Sequence, residues 1–290
     1  MIFLLLKLTR PIQWVKNGVV LAPLIFAGQF ADTTQVELAL AAVGLFCLLS
    51  SGVYIFNDIV DRQGDRQHPL KKNRPIASGK ISVTTAAALA FILFAGAMTA
   101  AFMIRLEFGL IAVLFVVVNL LYSMWLKHIV ILDVMSISAS FVIRAYAGAI
   151  IIDVPASKWM IISTLLLALF LALGKRRHEL VILDENATKH RRSLINYSPY
   201  LLDQLIGVVT ASVVVSYMLY TFSDEVAARV GTQWLFITNP FVIYGIFRYL
   251  YLIHKEDKGG DPTRLLFSDK PTLINVILWI VTVTIVLTQS

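Results

Sequence analysis

Nine apolar stretches, separated by short polar connections, constrain the fold of this chain more than any other feature of its sequence. The longer ones can cross the hydrocarbon core of a bilayer as an α-helix, which takes about 20 residues. Of the 290 residues, 58% are hydrophobic and 15% are charged, a composition typical of polytopic helical membrane proteins. The stretches cover roughly 18–30, 36–56, 83–104, 108–125, 129–152, 159–173, 205–222, 234–253 and 273–287.

This pattern predicts an all-α membrane protein with nine transmembrane helices. No linker or soluble domain of useful size interrupts it, so we expect residues 1–290 to form a single integral-membrane domain. The single cysteine, Cys47, lies inside an apolar stretch, which excludes an internal disulfide and favours a small core residue. No small-residue cleavage site follows the first apolar residues, and we therefore expect no removable signal peptide.

Lysine and arginine are distributed unevenly over the polar connections. The N-terminal segment and the connections after stretches two, four, six and eight carry 20 of them, whereas the connections after one, three, five and seven carry three. By the positive-inside rule, the first group faces the cytoplasm, and so does the N-terminus. Because the positive charge is spread over many helix ends, the basic composition gives no reason to expect a nucleic-acid partner.

The second apolar stretch continues directly into a cluster of acids. At about 100° per residue, four side chains share one face of the predicted helix: Asn57, Asp58, Asp61 and Asp65. Carboxylates this close repel each other and need a positive partner at a membrane boundary. Oxygen ligands of this kind suit Mg²⁺, which often completes its shell with substrate phosphates. We predict that all four residues bind Mg²⁺; the alternative is a hydrated helix end with ordinary loop charges.

Basic residues follow both the second and the sixth stretch, where they are placed to hold a multiply charged phosphate group. Two acids in the second of these clusters, Glu179 and Asp184, are predicted to help hold a second Mg²⁺. For this cluster a simple stop signal at the end of a span is an equally good interpretation. The predicted phosphate ligands are Asn57, Arg62, Lys72, Arg74, Lys175, Arg176 and Arg177.

Three further residues have two interpretations each. Arg144 lies deep in stretch five, where it either lines a cavity or pairs with an acid on another helix. Tyr122 either marks the membrane interface, as aromatic side chains commonly do at this depth, or lies near the acceptor phosphate. Lys127 follows at the same end and is placed to bind either a substrate phosphate or a lipid headgroup.

Two motifs resemble a known family. Asn57-Asp58-x-x-Asp61-x-x-x-Asp65, followed by the segment 73–79 (NRPIASG), is similar to the first aspartate-rich signature of the UbiA superfamily of intramembrane prenyltransferases. The resemblance implies the UbiA helical bundle, Mg²⁺ as cofactor and a catalytic role for Asp58, Asp61 and Asp65. The second cluster differs from that of the isoprenoid-transferring members, in which it is also rich in aspartates; here cations dominate.

The segments 10–17 (RPIQWVKN) and 174–180 (GKRRHEL) resemble those of the decaprenyl-phosphate phosphoribosyltransferase branch. That branch transfers 5-phosphoribose from phosphoribosyl diphosphate to a polyprenyl phosphate, for lipid-linked pentose donors of cell-wall glycans. The resemblance implies a multi-pass protein of the bacterial inner membrane with its active site at the cytoplasmic face. We predict that the acceptor phosphate lies near Lys16, Asn17, Lys127 and Tyr122. The sequence leaves open whether the chain forms homo-oligomers.

Two other functions remain open from the sequence. A conventional UbiA prenyltransferase would use the same aspartates to move a prenyl group onto an aromatic or haem ring. A non-enzymatic transporter or binding protein for lipid phosphates would use the same charged helix ends. Transporters tend to place their site at the bilayer midplane, whereas the charged residues here gather at one end of the spans.

Overall fold

The computed structural model describes residues 2–67, 71–183, 194, 196–256 and 259–288, and these are folded into helices joined by short turns. No β-strand occurs in these ranges, in agreement with the all-α prediction. The α-helices are α1 (Ile2–Thr9), α2 (Ala22–Phe26), α3 (Thr33–Val60), α4 (Arg62–Gln67), α5 (Val83–Ile104), α6 (Leu106–Met124), α7 (Leu132–Ile151), α8 (Lys158–Leu183), α9 (Pro199–Thr221), α10 (Asp224–Val230), α11 (Asn239–Lys255), α12 (Pro262–Ser268) and α13 (Lys270–Thr288). Short 3₁₀ helices cover Pro11–Leu21, Gln29–Ala31, Lys71–Asn73, Leu126–His128 and Trp234–Thr238.

Eight helical segments within the described ranges are long and apolar enough to cross a membrane. The chain is therefore a multi-pass membrane protein. The segments are α3, α5, α6, α7, α8 and α9, then α11 together with the 3₁₀ turn before it, and finally α13. They correspond to predicted stretches two to nine, and α5 has the predicted bounds.

The first predicted stretch is built differently. Instead of one α-helix, it consists of the 3₁₀ helix Pro11–Leu21, the short α2 and a further 3₁₀ turn. Arg10, which precedes it, bonds to Asp58 near one end of α3, while Asp32, which follows it, caps the other end of α3. The segment thus runs the length of α3, although it is not a regular transmembrane helix, and the count of nine spans remains a prediction.

Helix ends are fixed by capping side chains, which accept hydrogen bonds from the first free N–H groups. Asp32 caps α3, Ser82 caps α5 and Ser198 caps α9 in this way. Asp261 caps the short α12, which lies beside the N-terminal 3₁₀ helix. These caps place the polar connections at the two ends of the bundle and leave the helix bodies apolar.

The ends of the long helices meet in two layers. At one, here called the charged end, the C-termini of α3, α6, α8 and α11 meet the N-termini of α7 and α9 through side-chain contacts. At the opposite end, Arg105 between α5 and α6 bonds to Asp153, which follows α7. All four residues of the predicted acidic face lie at the charged end.

The described interior contains two smaller apolar clusters and two large ones. One joins α3, α5, α6 and α7, with Phe46 stacked edge-on against Phe108. The other joins α8, α9 and α11. The N-terminal 3₁₀ helix lies against α7 so closely that a Cβ on Gly148 would come within 2.0 Å of the Val20 carbonyl oxygen. This close approach holds the N-terminal segment in the interior of the bundle.

Candidate active site

The aspartates at the end of α3 are neutralised by arginines from other parts of the chain. Asp58, only 3% exposed, accepts hydrogen bonds from Arg10 at 2.5 Å and from Arg74 at 2.9 Å. The same Nη1 atom of Arg74 donates to Asp65 at 2.7 Å. The two buried carboxylates therefore share one guanidinium group between them.

Asn57 and Asp61 form a second pair on the same face. The Asn57 amide donates to Asp61 Oδ2 at 3.0 Å. The buried Lys127, from the turn after α6, donates to Asp61 Oδ1 and lies 3.5 Å from Asn57 Oδ1. Lys127, predicted to bind the acceptor phosphate, is thus placed among the acidic residues. The three aspartates of the face are matched by three cations, of which Arg10 and Lys127 come from distant parts of the chain.

The donor chemistry of this face suits a divalent metal. Asp58 and Asp65 each direct one oxygen at Arg74 Nη1. Asn57 and Asp61 do the same at Lys127 Nζ. A metal ion could take the place of either nitrogen. Mg²⁺ commonly takes one or two protein oxygens and completes its shell with water and substrate phosphates. Within the described ranges no three Asp, Glu, His or Cys side chains gather into a metal-binding cluster. An ion at this face would therefore depend on ligands from the substrate.

The second cluster, near the end of α8, is built around a buried ion pair. Arg176 is 1% exposed and donates to Asp133 at 2.7 Å, to Glu179 at 2.6 Å and to the Tyr122 hydroxyl at 3.3 Å. Tyr197 also donates to Asp133, at 2.8 Å, and accepts from the Ile131 backbone N–H at 2.8 Å. Burial, and next the neighbouring carboxylate of Asp133, raise the pKa of Tyr197.

Three predicted ligands lie in this arrangement, and their roles stay predictions. Arg176, a predicted phosphate ligand, is almost completely buried and joins α8 to the start of α7 through Asp133. Tyr122 bonds to that guanidinium, so its hydroxyl belongs to the second cluster. Glu179 is paired with Arg176 and lies 3.9 Å from Lys175, so cations already surround this predicted metal ligand. Asp184, the other one, lies outside the described residues.

The remaining predicted phosphate ligands differ in their exposure and in the partners of their side chains. The Lys175 side chain is 42% exposed, and Lys72 is exposed. Arg62 is half-buried, and its side chain makes no hydrogen bond or ion pair with another described residue. Arg177 donates to Asp203 at 2.5 Å and so ties α8 to α9. Lys175, Lys72 and Arg62 are therefore the better candidates for binding a phosphate.

The N-terminal segment brings two more predicted residues to the site. Asn17 is fully buried and accepts hydrogen bonds from Arg144 at 2.8 Å and from Ser50 at 3.2 Å. Lys16 is half-buried, and its side chain forms no hydrogen bond or ion pair with the other residues in the described ranges. Burial, and next the positive charge of Arg144, lower the pKa of Lys16 from 10.5 to about 8.

Some residues of the site were missed from the sequence. Arg10 has a left-handed backbone, with φ of 51°, a conformation that is uncommon outside glycine. It reaches Asp58 and also lies over the Tyr54 ring at 5.2 Å. Arg10 precedes Pro11 in the segment 10–17, which resembles the family motif, and this position could have indicated a role in the site. Asp133 and Tyr197 had no comparable signal, because their partners lie 43 and 64 residues away from Asp133.

Comparisons with known proteins agree with this architecture. Residues 19–270 match the profile of the UbiA prenyltransferase family. Decaprenyl-phosphate phosphoribosyltransferase of Mycolicibacterium smegmatis is 33% identical over 96% of this chain and 91% of the relative. The protein of that name from Corynebacterium glutamicum is 33% identical over 95% and 84%, respectively.

Solved structures show the same fold. A UbiA homologue from Archaeoglobus fulgidus, bound to GPP and Mg²⁺, superposes with a TM-score of 0.72 at 19% identity, over 98% of this chain and 99% of that one. The apo structure of a UbiA homologue from Aeropyrum pernix gives a TM-score of 0.68 at 16% identity, over 93% and 98% of the two chains. At these identities the likeness concerns the fold.

Proposed function

Because this chain belongs to the UbiA prenyltransferase family, we propose that it transfers 5-phosphoribose from phosphoribosyl diphosphate to a polyprenyl phosphate and releases diphosphate. Two relatives with 33% identity, over 91% and 84% of their length, are named for this kind of transfer. We further propose that the charged end faces the cytoplasm of a bacterial inner membrane, where the soluble donor is available. The whole chain would act as one transferase domain.

The observation that carries this proposal is the positive charge left over at the charged end. Arg10, Arg74 and Lys127 already neutralise the three aspartates. The Arg62 side chain remains without a partner in the described ranges, and Lys175 has one acid at 3.9 Å. Deeper in the bundle, the Lys16 side chain also has no bonded partner among the described residues. An excess of cations suits a reaction in which both the donor and the acceptor carry additional phosphate groups.

The reaction replaces one bond at ribose C1 by another. The bond from C1 to the diphosphate oxygen breaks, and a bond from C1 to an oxygen of the lipid phosphate forms. Lys175, Lys72 and Arg62 would hold the donor phosphates and stabilise the negative charge that develops on the leaving diphosphate. A phosphate monoester is already anionic at neutral pH, so the attacking oxygen needs no strong general base.

Mg²⁺ fits the acidic face as a second source of positive charge. Asn57 with Asp61, and Asp58 with Asp65, would supply its protein ligands, and the ion would neutralise the diphosphate of the donor. The Mg²⁺ found in a solved homologue supports this assignment. Arg74 and Lys127 would then be free to contact phosphate oxygens, because they need no longer neutralise carboxylates.

The test is a transfer assay with purified full-length protein in detergent. It contains Mg²⁺, a polyprenyl monophosphate and phosphoribosyl diphosphate labelled in the ribose. We expect label to enter the organic phase, and we expect EDTA or Asp58→Ala to abolish this transfer. Glu107→Gln, a change at an exposed residue of the opposite end, is the matched control and should transfer at the wild-type rate.

Two outcomes would favour the other functions. If a labelled prenyl diphosphate modifies an aromatic acceptor and no ribose moves, the chain is a conventional prenyltransferase, as binding of GPP by a solved homologue would suggest. If the protein binds polyprenyl phosphate but releases no diphosphate from either donor, it is a binding or transport protein.

A further inference from the structure

Arg144 is a buried cation whose described partners are all uncharged. It is 5% exposed, and its guanidinium donates to Asn17 at 2.8 Å, to Ser140 Oγ at 2.8 Å and to Ser50 at 3.4 Å. Within the described ranges no carboxylate lies within ion-pair distance of it. A guanidinium stays charged at neutral pH, so this part of the bundle carries a full positive charge without a counter-ion.

Such a charge is costly inside a bundle unless something negative accompanies it. The network of Arg144, Asn17, Ser50 and Ser140 satisfies hydrogen bonds but contributes no negative charge. One N–H of the Arg144 Nη2 group also has no acceptor among the described residues. Lys16, next to Asn17 in sequence, adds a second positive charge, near enough for Arg144 to lower its pKa. Asp261 acts on Lys16 in the opposite sense but more weakly than Arg144, and it forms no ion pair with Lys16. Two cations thus flank Asn17, and an anion is missing.

We propose that Lys16, Asn17 and Arg144 form the subsite for the phosphate monoester of the lipid acceptor, and that Arg144 is the residue that selects a phosphorylated lipid over an uncharged one. This inference rests on the proposed function, which it extends by the specificity-determining residue. It also decides between the two interpretations of Arg144, since the arginine has no acidic partner within the described ranges.

The position of the subsite favours the lipid phosphate over the 5-phosphate of the donor. Ser50 lies eight residues before Asp58 on α3, which places the network about 12 Å further from the charged end along the helix axis. Arg144 also lies over the rings of Phe115, at 4.5 Å, and Phe141, at 5.3 Å. These apolar faces suit the first isoprene units behind a lipid phosphate, whereas a soluble sugar phosphate gains little from them.

The test compares a polyprenyl monophosphate with the corresponding polyprenol. Thermal unfolding of the full-length protein in detergent reports binding without the reaction, because a ligand that binds only the folded state raises the midpoint. The phosphate should raise the midpoint of the wild type and the alcohol should not. Arg144→Gln should abolish the phosphate-dependent rise, and Arg144→Lys, which keeps the charge, should restore most of it.

Kinetics separates the two sources of phosphate. We expect Arg144→Gln to raise the KM for the lipid phosphate roughly tenfold or more, while the KM for phosphoribosyl diphosphate stays within about twofold. Arg248→Gln is the matched control, because Arg248 is another arginine inside a span but is paired with Asp269 at 2.7 Å. The control should keep the phosphate-dependent rise in midpoint even if its unliganded midpoint falls.

Two results would overturn the inference. A rise in the KM for phosphoribosyl diphosphate alone would assign the subsite to the donor, and an unchanged phosphate-dependent midpoint in Arg144→Gln would make Arg144 purely structural. If Arg144→Gln does not fold, Lys16→Gln serves instead, because Lys16 has no bonded partner in the described ranges. If the wild type transfers no ribose, the proposed function fails, while a phosphate-dependent rise that Arg144→Gln loses would still support the subsite.

Discussion

Asp133 and Arg176 form an ion pair of 2.7 Å that is almost completely buried between the start of α7 and the last turns of α8. Asp133→Asn removes the negative charge and leaves the buried guanidinium with Glu179 as its remaining acidic partner. Breaking a buried ion pair costs roughly 3–5 kcal/mol, so we expect a large fall in the thermal midpoint of the detergent-solubilised protein. Glu225→Gln, which removes an exposed pair with Arg229, should change the midpoint little. Equal effects of the two changes would show that the buried pair contributes no more than a surface one.

Arg74 should control how the acidic face responds to Mg²⁺. In Arg74→Gln, the cation shared by Asp58 and Asp65 is lost, so an added metal ion meets less competition for their oxygens. We expect half-maximal transfer at a lower Mg²⁺ concentration. The maximal rate should fall roughly tenfold or more, because a charged contact to the donor is also lost. Arg66→Gln, a nearby exposed arginine bonded to the Ala77 carbonyl, is the control. An unchanged Mg²⁺ titration in Arg74→Gln would contradict this role.

Lys16 should give the transfer reaction an alkaline limb. Its pKa is lowered to about 8, so the side chain is mostly charged at pH 7 and loses its proton as the pH rises through 8. If the charged form binds the lipid phosphate, kcat/KM for the lipid should fall about tenfold per pH unit above that value. Lys16→Arg keeps the charge at high pH and should remove this limb. The pH profiles of the two proteins would have to differ; identical profiles would exclude Lys16 as the titrating group.

Gly148 should be intolerant of a side chain. An added Cβ would lie 2.0 Å from the Val20 carbonyl oxygen, so Gly148→Ala forces the N-terminal 3₁₀ helix away from α7. Overpacking of this kind typically costs about 1–3 kcal/mol, and it would also disturb the bond between Asn17 and Arg144. Gly96→Ala is the control, because no atom lies within 4 Å of the corresponding Cβ and alanine favours a helix. Comparable thermal midpoints for both variants would contradict the tight packing.

Periodicity and hydropathy were sufficient to predict most of the fold. They located α5 to the residue, because Ser82 caps its start and Arg105 follows its end. They failed for the N-terminal segment, where the apolar run is formed by a 3₁₀ helix and a short α-helix. A 3₁₀ helix advances about 2.0 Å per residue and an α-helix about 1.5 Å. The three steps from Asn17 to Val20 therefore span the same distance along the axis as the four steps from Arg144 to Gly148, and the contacts between the two segments stay in register. This fit depends on α7, so the sequence of the N-terminal segment alone does not reveal it.

The acidic face was also predictable, since helical spacing places Asn57, Asp58, Asp61 and Asp65 together. Its neutralising partners were not, because they come from other elements: Arg10 is 48 residues from Asp58, and Lys127 is 66 from Asp61. The sequence therefore indicated the need for positive charge and assigned it to Mg²⁺ alone. For the same reason the pairing of Arg176 with Asp133 could not be predicted, because it depends on how α7 and α8 pack.

The balance of three aspartates by three cations affects how the protein can fold and insert into the membrane. If only a metal ion cancelled these charges, the carboxylates would repel each other whenever free magnesium fell. The chain would then have to bind its ion while it inserts into the membrane. Here Arg10, Arg74 and Lys127 complete the balance from within the chain. The protein can therefore fold with this face already balanced, and under the proposed function Mg²⁺ would be needed only when the sugar donor binds.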